Sequence, residues 1–147
     1  MISTLGIISL IILLVSVGAV WLHFKVLKQR GALDDSLAVL DVLLRDRLDI
    51  FFEITDTCPE ADALYELCEI SFAAPTRQVL EVLPELDRFA GLYISMQKEA
   101  LAANIEEIKR AVEAYNDILL RYNAFIAAFP WRLVAHVLGL EEENMLP

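Results

Sequence analysis

Three acidic residues, Asp46, Asp49 and Glu53, stand three and four positions apart, so a helix carries them on one face. Carboxylates at that spacing are what a helical bundle uses to bridge metal ions, provided two further helices each add Glu-x-x-His. The chain has two histidines. His23 lies near the N-terminus, and His136 is preceded three positions earlier by Leu133. The motif is absent, and the trio reads as a solvated acidic face partly neutralised by Arg45 and Arg47. Glu106-Glu107 and Glu141-Glu142-Glu143 read the same way. Cys58 and Cys68 lack metal-ligand spacing, nothing local joins a cysteine to a histidine for nucleophilic catalysis, and no Gly-rich phosphate loop is present. No catalytic, cofactor-binding or metal-ligating residue is assigned, no cofactor is expected, and the chain reads as a non-enzyme. The competing classes are a carboxylate metal-binding or enzymatic bundle, and an exported protein released after signal cleavage.

The sharper polar signal is a repeated dipeptide, Tyr115-Asn116 and Tyr122-Asn123. It sits in a run of apolar positions at Leu101, Ile105, Ile108, Val112, Tyr115, Leu119, Tyr122, Ile126 and Phe129. Steps of four and three alternate, the heptad seam of a helix packed along its length on other helices. Pro130 stops the run, since it has no N–H to donate and disfavours helical geometry at Phe129. Both tyrosines take one seam position and both asparagines flank it. Two roles are open. In the first, each ring is buried with its hydroxyl at the rim, and each Asn hydrogen-bonds to a neighbouring helix with Arg47 or Asp49 as partner. In the second, the pairs form a recognition surface for another protein, with Trp131 as an aromatic anchor.

A helix of this kind needs neighbours, and the rest of the chain supplies them. The composition, 57% hydrophobic with five Gly and five Pro in 147 residues, points to helix rather than disorder. A mean hydropathy of +0.52 is too high for an ordinary soluble domain, so part of the chain belongs in lipid. Residues 2–22 carry no charge, and 13 of them are Leu, Ile or Val. As a helix they span about 31 Å, the thickness of a bilayer core. Trp21 and His23 fall where an interfacial belt is expected. A cleaved signal peptide is the rival, with Val17-Gly18-Ala19 as a weak site, but the first residues hold no Lys or Arg and the apolar run is long. Lys25, Lys28 and Arg30 follow the span, which places the C-terminal bulk in the cytoplasm by the positive-inside rule. All 12 basic and all 22 acidic residues lie beyond residue 24. The net charge of −10 therefore belongs to the part outside the membrane and speaks against nucleic-acid binding.

Along that part, Leu33, Leu37, Leu40, Leu44, Leu48, Phe51 and Thr55 form one helical stripe. No proline interrupts the first 58 residues, so anchor and first bundle helix read as one continuous rod with Gly31 as the single candidate break. Thr57-Cys58-Pro59-Glu60 reads as a capping box that opens a helix running to Phe72 and burying Leu64, Leu67 or Cys68, and Phe72. Pro75 ends it. Thr76 to Leu83 reads as a short helical piece, and Pro84 as the first turn of a helix that continues through Gly91 into the heptad seam. Trp131 to Leu140 makes a short apolar helix closed by Gly139, which either folds back on the bundle, lies on the membrane or docks a partner.

The seam resembles the LemA family of bacterial membrane-anchored helical proteins, whose C-terminal signature pairs two Tyr-Asn dipeptides with Phe-Pro and a later Gly. Here these are Tyr115-Asn116, Tyr122-Asn123, Phe129-Pro130 and Gly139. Asp41, Val42, Arg47 and Asp49 match the family's first-helix motif, while Ile50-Phe51-Phe52 stands where the family has Ile-Pro-Asn. The resemblance implies a divergent or shortened member, with an antiparallel bundle on a membrane anchor, in a family with no established enzymatic activity. Expected, then, is an all-α protein: a single transmembrane helix at residues 1–24, then a LemA-like antiparallel bundle of three to four helices at 25–147. Its setting would be the bacterial inner membrane, single-pass, with the bundle cytoplasmic. Its partners would be the bilayer through residues 2–22 and either an unknown protein or itself, but no nucleic acid. Its work would be interaction or scaffolding.

Overall fold

The computed structural model describes residues 4–58, 61–93, 98–128, 131–137 and 139–147, the side chains of 5, 98, 131, 134 and 137 apart. Among the described residues five helices follow one another: α1 (Thr4–Thr57), α2 (Asp62–Phe72), α3 (Thr76–Ala90), α4 (Lys98–Ala127) and α5 (Trp131–Val137). No strand occurs among the described residues, and the fold is the expected all-α arrangement of a long apolar N-terminal helix followed by a helical bundle. α1 runs through Gly31 without a break. The chain divides into two compact units, Met1–Leu33 with Ile118–Glu143, and Asp34–Asp117 with Asn144–Pro147.

In the first unit the apolar side chains of α1 from Ile7 to Val20 are uncovered, Leu14 at 64% and Val15 at 65% exposure. This helix is long and apolar enough to cross a membrane. Packing begins at Leu22 and Val26, which are buried, as are Leu119, Tyr122, Ile126 and Ala135. Lys25 places its ammonium 4.9 Å from the Trp21 ring centre and 4.5 Å from that of Phe125, a cation–π contact to both rings. α5 ends as the sequence suggests. Gly139 has φ +64°, its N–H donates to the His136 carbonyl at 3.3 Å, and the Leu140 N–H donates to the Ala135 carbonyl at 2.9 Å. That pair of bonds is the Schellman motif, in which a residue without Cβ takes the left-handed position. α5 buries Ala135 and leaves Leu133 open.

In the second unit the stripe of α1 buries Leu40, Leu44, Leu48 and Phe51, each worth about 1.5–3 kcal/mol relative to exposure. The same unit buries Leu64 and Cys68 of α2, Val79, Leu80, Leu83, Leu86 and Ala90 of α3, and Leu101, Ile108 and Tyr115 of α4. Arg47 bonds to the Leu101 carbonyl and Asn104 to the Leu43 carbonyl, so ascending numbers on α1 meet descending numbers on α4 and the two run antiparallel here.

Four local expectations are corrected. Thr57 does not cap α2: its hydroxyl donates back to the carbonyls of Glu53 and Ile54 and finishes α1, while α2 starts at Asp62 with no side-chain cap. Pro59 and Glu60 lie outside the described residues. Phe72 is exposed rather than buried; it packs edge-on to Phe52, with the Arg45 guanidinium over its ring. Pro84 sits inside α3 instead of starting a helix. A proline there costs about 3 kcal/mol, and the five buried side chains of α3 offset it. Finally, α3 ends at Ala90 and the chain turns over Gly91 to Tyr93, so the seam helix begins separately at Lys98.

Candidate functional site

From Leu101 to Ile126 the heptad seam forms as read. Leu101, Ile108, Tyr115, Leu119, Tyr122 and Ile126 are buried along α4, and Ile105 and Val112 are half-buried. Two polar residues share the buried face without having been read there. Arg47 falls three positions after Leu44 and four before Phe51, and Asn104 three after Leu101 and four before Ile108. Helical geometry therefore places both on their apolar stripes, the one signal in the sequence that could have revealed them. Arg47, read as part of a solvated face, is 4% exposed. Its Nε and Nη2 donate to Asp87 Oδ1, and its Nη1 donates to the Leu101 carbonyl at 2.9 Å and to Asn104 Oδ1 at 3.2 Å. Asn104 Nδ2 in turn donates to the Leu43 carbonyl at 3.1 Å. One guanidinium thus ties α1, α3 and α4 through four of its five N–H donors, the kind of pairing under which a buried cation is tolerated.

The expected partnership of Arg47 or Asp49 with the seam asparagines does not form. Asp49 is exposed on α1. The asparagines pair instead with residues that lie in no helix or strand, in the tail from Glu141 to Pro147. In the first unit, Asn123 Nδ2 donates to the Glu143 carbonyl at 2.8 Å and the Glu143 N–H donates to Asn123 Oδ1 at 3.1 Å. In the second, Asn116 Nδ2 donates to the Leu146 carbonyl at 3.1 Å and the Leu146 N–H donates to Asn116 Oδ1 at 2.9 Å. Each carboxamide meets both backbone groups of one residue, as a strand neighbour would.

The tyrosines divide. Both rings are buried, Tyr115 at 6% and Tyr122 at 0% exposure. The Tyr122 hydroxyl is not at a rim, being buried without a hydrogen-bond partner among the described residues. Phe129 and Pro130 lie outside the described residues, as does the Trp131 side chain, although Trp131 opens α5.

Asp46, Asp49 and Glu53 are exposed, and no cluster of His, Cys, Asp and Glu among the described residues could hold a metal ion. Burial pushes the Cys68 thiol up to about 12, so it is protonated and inert at neutral pH. What stands out chemically is that Asn116 and Asn123 each hold a residue of the C-terminal segment by its main chain. No family model, characterised protein or solved structure matches the chain.

Proposed function

We propose that this chain is a single-pass protein of the bacterial inner membrane, LemA-like, whose cytoplasmic helical bundle works in protein interaction or scaffolding without catalysis. The uncovered apolar surface of α1 from Ile7 to Val20 carries the reading: in water such a face is costly, in lipid it is favourable. The basic Lys25, Lys28 and Arg30 that follow it support a cytoplasmic bundle, and the exposed Leu120 and Leu133 offer apolar contact points beyond it.

The test is fractionation of the full chain with a C-terminal reporter active only in the cytoplasm, together with photocrosslinking probes at Leu120 and Leu133. Full-length protein retained in alkali-washed membranes with an active reporter, and a recurring crosslinked partner lost when residues 1–24 are replaced by a soluble tag, is the expected result. A shortened, released product, or an inactive reporter, refutes the anchor and its orientation.

A further inference from the structure

Within the unit formed by Asp34–Asp117 and Asn144–Pro147, the four tail residues are seated on α3 and α4 by bonds that ignore side-chain identity. Arg77 donates Nη2 to the Asn144 carbonyl at 2.7 Å and Nη1 to the Met145 carbonyl at 3.1 Å. Asn116 takes both backbone groups of Leu146. Every one of these bonds ends on the tail's main chain. Leu146 is the one side chain of the four that is buried, at 6% exposure; Asn144, Met145 and Pro147 are exposed. Pro147 also lines a cavity of about 510 Å³ whose apolar walls include Leu80, Leu83, Ile105, Ile108 and Val112. A segment without helix or strand, read through its backbone and with one apolar anchor, is the way a groove binds a peptide ligand. Here that ligand is joined to its own receptor.

We propose that this seat between α3 and α4 is an interaction site for residues Asn144–Pro147 of a second copy of the chain, with tails exchanged between neighbours. The occupant follows from the structure, because this segment is the one seen to fit. Exchange keeps the four bonds of the seat and the Leu146 anchor, so the closed and exchanged forms differ in how the tail is delivered and in the two bonds of Glu143 to Asn123. In the closed form the tail is present at an effective concentration in the millimolar range. Anchoring in one bilayer raises the concentration of neighbours toward that value. Released from Asn123 as well, residues 140–147 reach roughly 25 Å as extended chain. The proposal names a partner for the interaction role above and rests on it.

Complementation between two differently tagged full-length copies, co-expressed and purified in mild detergent, tests it. One carries Arg77→Ala with Asn116→Ala, which spoils the seat and keeps the tail; the other carries Leu146→Asp, which spoils the tail and keeps the seat. The mixed pair is expected to co-purify about tenfold above either variant with itself, the factor that loss of one buried anchor supplies. Equal recovery overturns the proposal, and does so without touching the membrane reading if both copies stay in alkali-washed membranes. A second measurement guards against misfolding. A labelled peptide with the sequence of residues 141–147 is titrated into full-length Leu146→Asp protein and followed by anisotropy. Saturable binding, weakened about tenfold by adding Asn116→Ala or by Asp at the peptide's leucine, supports the seat. No binding, or equal binding of the Asp peptide, overturns it.

Discussion

Replacing Arg47 by Met removes a guanidinium but keeps most of its stem, so it isolates the polar bonds from the packing. The side chain is buried and its donors go to Asp87, Asn104 and the Leu101 carbonyl. Loss of one partner from a buried pair costs about 3–5 kcal/mol, mostly from the charge left behind. That range needs reducing here, because the Asp87 side chain is 31% exposed and water recovers part of its solvation. Asn104 Oδ1 also loses a partner, but Met adds apolar contact in the vacated space. The net is a destabilisation of about 2–3 kcal/mol, or a fall in Tm of roughly 5–10 °C for a domain of this size. Thermal unfolding of the full chain in detergent, followed by helical circular dichroism, reads it. The companion variant carries Arg47→Met with Asp87→Leu, so that no charge is stranded, and should recover at least about half of the loss. Refutation takes either of two forms: a single-variant loss below about 0.5 kcal/mol, or a double variant as unstable as the sum of the two singles.

Asn123→Leu removes both bonds to Glu143 and should cost about 1–2 kcal/mol, with the Glu143 amide losing its protection in hydrogen exchange. A protected Glu143 amide in that variant would contradict the assignment. Pro84→Ala restores an N–H that can meet the Leu80 carbonyl within α3, and should raise stability by about 1–2 kcal/mol, the helix gain less the extra freedom of the unfolded chain. A loss instead would show that the proline's own contacts outweigh the missing bond. Cys68 should resist a thiol reagent that modifies the half-buried Cys58. Its folded pKa of about 12 lies above the 9.0 of an unperturbed thiol, so its contribution to stability is complete below pH 9 and is lost as pH rises toward 12. Replacing Cys68 by Ala should remove that alkaline component, and an unchanged alkaline unfolding profile would count against it.

Most of the helical framework was legible because apolar period is a direct image of burial. The stripe from Leu33 to Phe51 and the seam from Leu101 to Ile126 needed no tertiary knowledge. Pro84 and Thr57 misled for a related reason: both belong to start-of-helix chemistry, and local rules yield when a buried face, such as Val79 to Ala90, holds the helix through a defect. Arg47 and Asn104 were hidden by their residue types, although their positions on the stripes gave them away. The partner of the asparagines was beyond reach of any pattern. It lies 20 and 30 residues further on, in a stretch with no period, and it presents main-chain atoms that every residue has alike.

That last property sets how such a protein can change over generations. A carboxamide that grips main-chain N–H and C=O does not notice which side chain its guest carries, so residues 143, 144 and 145 are free to drift. The asparagines are not, since aspartate has no N–H to give and leucine has neither group. Leu146 may be exchanged only for another apolar residue of similar volume. Among descendants of this chain, then, Arg77 and Asn116 should outlast the identity of the segment they hold. Gain or loss of one residue between Asn144 and Leu146, which would put the tail out of step with Arg77 and Asn116, should be the rarest change of all.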